Sequence, residues 1–486
     1  MSQLLNWINK NRQLNKSAIT YRNTGADEYL TITYENLYNY ITSLSGYLND
    51  YRGKNVAIIG HNKLEYVVSL LSVLCNIGNA FVVDKELKKD ELDNLFEIVK
   101  PDLVIVDDDL NIVCEKIKNI KFSDVDRIMR ESYKFEINDA FAGNLILHTS
   151  GTTGTPKCIE LSEEMYLYII KDLNESWNVA KEHSCLFIIP LYHIYALTSL
   201  FHGIYAGVEN ILEWDYAKLE NVLRKTNPSI FLGVPLIFNK IRDAAYKKGG
   251  NKLKFGLKLS KLLLSCGIDI RKKLFKDIHA YFGNNYYFAV SGGSMANPDT
   301  NKFFDDIGLP LYNGYGMTET SGPITICYKN NNRYDSVGKI LHNDVEVINV
   351  DEDGAGEICI AGPNIITKYM NDSDDNCFAD GYFNTGDLGY VKDGFLYITG
   401  RRKEILIGDN GKNISAAEIS KQVVQHPGIN DCILKMENNK IIAIIDTSLT
   451  ADEIKKRIDA INATLPNYKK ISDFKIISKG FSHASN

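Results

Sequence analysis

The chain has 486 residues, about three times the length of a typical single domain, so more than one hydrophobic core is expected. Charged residues make up 24% and the apolar set 44%, which excludes wholesale disorder. The formal net charge of −6 excludes a chain that is basic along its whole length, as many nucleic-acid binders are.

The opening Met1-Ser-Gln-Leu-Leu-Asn-Trp-Ile-Asn-Lys10 has no basic flank leading into a long apolar run, so no signal peptide is read there. No stretch approaches the ~20 apolar residues of a membrane span. The nine cysteines stand singly, with no C-x-x-C pair, which argues against structural zinc and a disulfide framework. The expectation is a cytoplasmic, multi-domain protein with no nucleic-acid partner.

The first third alternates helix and strand signals. Leu37, Tyr40, Ile41, Leu44, Tyr47 and Leu48 share one helical face. Val56–Ile59 reads as a buried strand ending at Gly60, Tyr66–Cys75 as an apolar helix and Phe81–Val83 as a second strand. Glu86–Val99 is amphipathic, and Leu103–Val106 is a third strand after Pro101. Short strands alternating with helices predict a doubly wound α/β sheet.

Residues 240–276 carry twelve Lys or Arg against Asp243 and Asp269, with Leu253, Leu257, Leu259, Leu262, Leu263 and Leu264 interleaved. This predicts a basic amphipathic helix. Either it is a solvated face with its leucines on the core, or it docks something acidic: a membrane, a carrier protein or phosphates. In the last eighty residues, Cys432–Leu434 and Ile441–Ile445 flank a polar turn, which predicts a hairpin. Thr450-Ala-Asp-Glu453 is a capping box before a helix that Pro466 ends.

The segment with the strongest chemical signal is Leu145-Ile-Leu-His-Thr-Ser-Gly-Thr-Thr-Gly-Thr-Pro-Lys157. A strand runs into a loop of hydroxyl and glycine residues closed by Pro-Lys. Glycines let backbone N–H groups face an anion, and hydroxyls and a lysine add donors and charge, the parts of a phosphate-holding loop. The spacing is not the Walker pattern. A plain flexible linker needs neither the strand nor the Pro-Lys.

Three segments accompany it. Asn313-Gly-Tyr-Gly-Met-Thr-Glu-Thr320 puts an aromatic, a hydroxyl and a carboxylate on a glycine-rich turn. Tyr382-Phe-Asn-Thr-Gly-Asp387 presents an aspartate just past a turn, suited to a ribose diol. Gly400-Arg-Arg-Lys-Glu404 leads through Ile405–Ile407 to Gly408-Asp-Asn-Gly411 and Asn413-Ile-Ser415. Each alone is weak; in this order they are together very specific.

On these motifs the chain resembles the adenylate-forming enzymes, which include acyl-CoA synthetases, stand-alone adenylation domains and beetle luciferases. The resemblance covers roughly residues 15–475. Asn413-Ile-Ser415 after Gly411-Lys412, Ser291-Gly-Gly-Ser-Met295 and Val234-Pro-Leu-Ile-Phe-Asn-Lys-Ile241 make it most similar to long- and medium-chain fatty acyl-CoA ligases.

The resemblance implies a large N-terminal domain of doubly wound mixed sheets, residues 1–402, hinged to a small α+β domain, residues 403–486. It implies that Thr149, Ser150, Gly151, Thr152, Thr153, Gly154 and Lys157 hold the β- and γ-phosphates of ATP. Tyr315 would stack on adenine, framed by Asn313, Gly316 and Ser291-Gly292-Gly293, and Thr318 would bond the α-phosphate. Glu319, with Thr149, would help bind Mg²⁺. Asp387 and Arg401 would hold the ribose, Lys403 would be the hinge, and Gly411 would line the thiol's approach.

The implied activity is ATP-dependent conversion of a carboxylic acid, a fatty acid by preference, to acyl-AMP with pyrophosphate release, then thioester formation with CoA. Alternatives are transfer to the phosphopantetheine of an acyl carrier protein, or a binding module without turnover. Leu191-Tyr-His-Ile-Tyr195 makes His193 and Tyr192 candidates for the acyl pocket, against the plainer reading of a core histidine. No aspartate stands in 191–200 to pair a substrate ammonium, which favours an uncharged tail. Peripheral contact with the inner face of a membrane through 240–276 is a further expectation.

Three positions depart from the family pattern. Cys158 stands where a Gly is usual, and Ala416 where a Pro is usual. The family's late Gly-Lys pair is expected to be missing, since Lys479-Gly-Phe-Ser-His-Ala-Ser-Asn486 aligns ahead of it and Lys475 and Lys479 stand too early.

Overall fold

The structure is a computed structural model. It describes every residue except 1, 24–27, 113–115, 132, 134, 136–140, 150–155, 295, 352–353, 372–376, 403–404, 408–412, 427, 438–439, 467–468 and 478–486.

A six-stranded sheet is built from residues 55–161. Its parallel strands are Lys118–Lys121, Leu103–Val106, Asn55–Ile59, Asn79–Val83 and Leu145–Thr149 in spatial order, and Lys157–Leu161 closes the edge antiparallel. Val56–Ile59, Ala80–Val83 and Leu103–Val106 are fully buried, because helices cover both faces of a parallel sheet. The expected strands and helices are all present. The helix Tyr34–Tyr47 starts at a Thr33–Asn36 capping box and buries Leu37, Ile41 and Leu44.

The helix expected over 66–75 is Leu64–Ser72, and the chain then widens into a π-helical turn, Val73–Ile77. It stops at Gly78, where a Cβ would lie 2.0 Å from the Lys54 carbonyl oxygen, so only glycine lets the two backbones meet.

The second sheet has fourteen strands. Its centre is parallel: Leu311–Met317, Phe288–Ser291, Ile230–Gly233, Ser184–Phe187, Glu209–Leu212 and Ser17–Asn23, in that spatial order. Antiparallel strands extend it on the other side, among them Gly322–Ile326, Tyr382–Lys392 and Phe395–Arg401. The carboxyl ends of the parallel strands point one way, the side of an α/β sheet on which ligands bind.

Residues 414–471 hold a core of their own, with Ile414, Ile419, Leu434, Ala443, Ile445, Ile454 and Ile458 at its centre. The expected hairpin is Ile429–Glu437 with Lys440–Thr447. Ile471–Ile477 joins it parallel to the second strand, a partner that local patterning did not announce. The Thr450–Glu453 capping box opens the helix Ala451–Thr464.

The basic segment is helical but not one helix. Pro235–Ser265 is broken at Gly250, whose φ of 50° and ψ of −131° are non-helical. Its leucines divide: Leu253 is buried, Leu257, Leu259 and Leu263 are half-buried, and Leu262 and Leu264 are exposed. No helix among the described residues is long and apolar enough to cross a membrane.

Candidate active site

Thr149 and Lys157 lie directly opposite each other across an antiparallel pair, so the Ser/Thr/Gly segment is a strand-to-strand connection. Ser150, Gly151, Thr152, Thr153 and Gly154 lie outside the described residues. The base of the connection is clamped from a distance. Asn371 Nδ2 donates to the Pro156 carbonyl at 3.1 Å, and its Oδ1 accepts from the Cys158 N–H at 3.1 Å. The Met370 N–H adds a bond to the Cys158 carbonyl at 2.9 Å. These three bonds present Lys157 to Tyr369, whose ring centre is 4.5 Å from the ammonium.

Tyr369 also reaches the carboxylate of Glu319, to which its hydroxyl donates at 3.1 Å. Glu319 sits in a single 3₁₀ turn, Thr318–Thr320, and is 8% exposed. Burial raises its carboxyl above the ordinary glutamate value, opposed by bonding to its own backbone, by Tyr369 and by the charges of Lys157 and Arg401. A buried carboxylate whose charge is only partly compensated fits a divalent cation, so Glu319 can hold Mg²⁺ beside half-buried Thr149 and Thr318.

The segment expected to be a glycine-rich turn is mostly strand. Asn313 pairs with Ser291, Gly314–Met317 pairs with Gly322–Ile326, and only Thr318–Ser321 turns. The pairing needs Gly316, since a Cβ there would stand 2.1 Å from the Gly322 carbonyl. Asn313 is buried; its Nδ2 donates to the Ser336 carbonyl at 3.1 Å, while its Oδ1 and the Ser291 hydroxyl have no hydrogen-bond partner. Two unsatisfied buried polar atoms on adjacent strand ends suit a hydrogen-bonding ligand such as a nucleobase.

Asp387 likewise stands within a strand, Tyr382–Lys392, rather than past a turn; the left-handed φ of 71° at Gly386 bends the strand before it. It is 3% exposed and faces Arg401 across the antiparallel pair. Its Oδ1 accepts from Arg401 Nε at 2.9 Å and its Oδ2 from the Tyr315 hydroxyl at 2.6 Å. Burial and that carboxylate together push the Tyr315 phenol well above its ordinary pKa. The next residue, Arg402, turns to Glu357 instead, Nη1 to Oε2 at 2.9 Å. Lys403 and Gly411 lie outside the described residues, as do Lys479 and the end of the chain; Lys475 pairs with Glu437 at 3.1 Å.

An apolar cavity of about 50 Å³ opens beside Tyr315 and Gly316. Leu173, Trp177, Ile194, Tyr195, Val290 and Ile326 give it an apolar wall, and no charged side chain or histidine lines it among the described residues. Gly292 and Gly293 form its rim. A Cβ on Gly292 would come 3.2 Å from the Tyr195 ring, and Gly293 has a φ of 81° with open space where a side chain would be. At the far wall Trp177 donates its indole N–H to the Cys327 carbonyl at 3.0 Å.

Tyr192 and His193 immediately precede Ile194 of this wall but do not line it. His193 begins the helix Ile194–Ala206, is exposed, and sits with its ring 4.4 Å from Tyr192. Crowding by the surrounding protein lowers its pKa, which Asp84 opposes. The buried histidine of that helix is His202, and a second histidine, half-buried His148, stands one residue before Thr149. The Nε2 of His148 accepts from the Asp84 N–H at 3.1 Å, and burial pushes its pKa down to about 4.

Tyr369, Asn371, Trp177 and His148 were not among the residues singled out from the sequence. None carries a local signal; each acts on a partner far along the chain.

The family profile described as AMP-binding enzyme matches residues 7–370, three quarters of the sequence. The chain belongs to the AMP-binding enzyme family. Among relatives of this AMP-binding enzyme, the long-chain-fatty-acid–CoA ligase FadD15 of Mycobacterium bovis is 29% identical over 325 residues, covering 62% of this chain and 54% of the relative. The long-chain-fatty-acid–CoA ligase ACSBG1 of Homo sapiens is 30% identical over 339 residues, covering 62% and 46%. The chain thus spans about half the length of these relatives.

Two solved structures share the fold over nearly the whole AMP-binding enzyme. One is o-succinylbenzoate coenzyme A synthetase (MenE) from Bacillus subtilis in complex with ATP and magnesium ion: 22% identity, TM-score 0.76, covering 97% of this chain and 95% of that one. The other is the anthranilate CoA ligase AuaEII in complex with anthranoyl-AMP: 17% identity, TM-score 0.80, covering 99% and 95%.

Proposed function

We propose that this AMP-binding enzyme joins a fatty acid to ATP, forming acyl-AMP and pyrophosphate, and then passes the acyl group to the thiol of CoA. The observation that carries the reading is an uncharged cavity opening at Tyr315 and Gly316, beside the buried Glu319 and the Asp387–Arg401 pair. The apolar lining suits an uncharged tail, and its carboxylate would emerge at Gly292-Gly293. The relatives named as long-chain-fatty-acid–CoA ligases support the substrate class. The MenE complex with ATP and magnesium ion supports the nucleotide and the metal.

In this reading a carboxylate oxygen attacks the α-phosphorus and the bond from that phosphorus to the pyrophosphate oxygen breaks. Two anions must approach, so oriented positive charge governs the rate. Lys157 would neutralise the outer phosphates, the 149–154 hydroxyls and N–H groups would hold them, and Thr318 would bond the α-phosphate. Mg²⁺, held through Glu319 and the phosphate oxygens, would supply further charge. Tyr315 would stack on adenine with Asn313 at the base edge, and Asp387 with Arg401 would hold the ribose. In the second step the thiol sulfur bonds to the acyl carbon, AMP leaves with the electron pair, and the thiol proton passes to solvent. The 403–486 unit would turn about Lys403 between the steps, bringing Gly411 to the thiol. His193 would stand at the approach to the cavity.

The test is pyrophosphate release across a panel of carboxylic acids, with CoA, with an acyl carrier protein, and with neither. Release with straight-chain acids and thioester only with CoA supports the reading; loading of the carrier protein instead reassigns the acceptor. Glu319→Gln keeps size and removes charge, and a folded variant that releases pyrophosphate at the parent rate rules out the metal assignment.

A further inference from the structure

The helix after the Gly250 break presents two opposed faces. Leu253, Gly256 and Ser260, at i, i+3 and i+7, turn inward. A Cβ on Gly256 would meet Phe275 at 3.2 Å, and the Ser260 hydroxyl donates to the Asp306 carbonyl at 3.3 Å. The opposite face carries Phe255 and Leu262, 68% and 64% exposed. They are seven residues apart, so they lie in line along the helix, about 10.5 Å from each other. Lys258 stands between them on the same face, with Lys252 and Lys254 at the flanks. All three lysines are exposed and have no ion-pair partner among the described residues; Lys261 alone is tied down, to Asp306 at 3.0 Å. From residue 244 to 268 there is no Asp or Glu. Ile268, 51% exposed, continues the apolar surface past the helix end.

Singly exposed apolar residues are ordinary, but Phe255 and Leu262 stand in line on one face with Ile268 beyond them, which makes a patch. The surface is apolar along its crest and cationic at its flanks, and the nearest carboxylates, Asp269 and Asp306, are paired with Arg271 and Lys261. We propose that residues 251–268 dock this enzyme on an anionic lipid surface, with Phe255 and Leu262 entering the interface and Lys252, Lys254 and Lys258 meeting the headgroups. Long lysine stems suit this, since they lie along apolar surface while the ammonium stays at the polar level. The inference goes beyond the proposed reaction and needs no turnover to test.

The test is cosedimentation of the full chain with vesicles of phosphatidylcholine alone and of phosphatidylcholine mixed with phosphatidylglycerol, without ATP or acid. The parent chain is expected to bind the anionic vesicles at low salt and to be released as salt rises, since exposed charges are screened beyond roughly 10 Å at 0.1 M. The Phe255→Gln/Leu262→Gln double variant is expected to partition more weakly, by on the order of tenfold or more. Lys254→Glu/Lys258→Glu should lose a similar amount, chiefly at low salt. All four side chains are exposed, so melting temperature and pyrophosphate release from a short acid should stay at the parent level. Absence of vesicle binding by the parent chain overturns the proposal, as does parent-like binding by the Phe255/Leu262 variant. Binding to an acidic carrier protein in place of vesicles also overturns it and makes the surface a protein dock.

Discussion

The Tyr369 hydroxyl donates a hydrogen bond to Glu319 Oε1 at 3.1 Å, and the face of the same ring lies 4.5 Å from the Lys157 ammonium. One side chain therefore joins the lysine that closes the hydroxyl-rich loop to the buried carboxylate fifty residues earlier in the chain. Tyr369→Phe keeps the ring over Lys157 and removes only the phenol. Glu319 then loses a bond that favours its ionised form, and its pKa, already raised by burial, rises further. Pyrophosphate release near neutral pH should fall about tenfold, and the acidic limb of its pH profile should move to higher pH. An unmoved profile would show that the phenol does not tune Glu319. Tyr369→Leu removes the cation–π contact as well and should cost a further few-fold.

Asn371 bonds both the carbonyl of Pro156 and the N–H of Cys158, the two backbone groups flanking Lys157. Asn371→Ala leaves both without that partner, at a local cost of about 1–3 kcal/mol. The expected result is a higher KM for ATP, a smaller change in kcat and a melting temperature lowered by a few degrees. Asn371→Asp retains the acceptor but not the donor and should fall between. Steady-state kinetics against ATP separates these outcomes from a general loss of fold.

Trp177 closes the far wall of the cavity and is held by its bond to the Cys327 carbonyl. Trp177→Leu should deepen the cavity and move the preferred acid toward longer chains. Loss of packed volume and of the indole bond should cost stability, below the ~3–5 kcal/mol typical of removing a whole aromatic side chain. Comparing kcat/KM across a series of straight-chain acids, for parent and variant, measures the shift directly. An unchanged preference would place the end of the acyl chain elsewhere.

His148 is held neutral in the fold. Burial sets its pKa at about 4 against an ordinary 6.5, and its Nε2 is committed as an acceptor to the Asp84 N–H. Between these values the unfolded chain binds a proton that the folded chain does not. The neutral histidine's contribution is therefore complete above about pH 6.5 and is lost as pH falls toward 4. His202, buried against Trp177 and also near 4, adds the same dependence. In His148→Gln the acid-side slope of unfolding free energy should lessen by roughly one proton, about 1.4 kcal/mol per pH unit. Urea melts at several pH values across this window measure that slope.

Local pattern carried a large part of the architecture. Val56–Ile59, Leu103–Val106, the helix with Leu37, Ile41 and Leu44, and the Thr450–Glu453 cap were all legible because each depends on residues within one turn or strand. The Ser/Thr/Gly segment between Thr149 and Lys157 lies outside the described residues, so its phosphate-holding role stays an expectation from composition. Where local pattern misled, tertiary pairing had overruled it: Gly314–Met317 and the residues around Asp387 have turn-like composition but are strands, because Gly322–Ile326 and Phe395–Arg401 satisfy their backbone groups.

The amino-acid sequence by itself thus determined the α/β class and the elements of the first third and the last eighty residues, and it raised the expectation of what each motif can bind. Only the tertiary structure decided which of those motifs meet. Tyr369 touches Lys157 and Glu319, Asn371 grips both sides of Lys157, and Tyr315 shares Asp387 with Arg401 because strands distant in the chain pair side by side. Hydrogen bonding between strands is indifferent to separation along the chain, so no periodicity or spacing records it. The basic helix makes the same point in reverse. Its charge and leucines were plain in the sequence, but which of them face water depended on the break at Gly250 and on Phe275 and Asp306 covering one side.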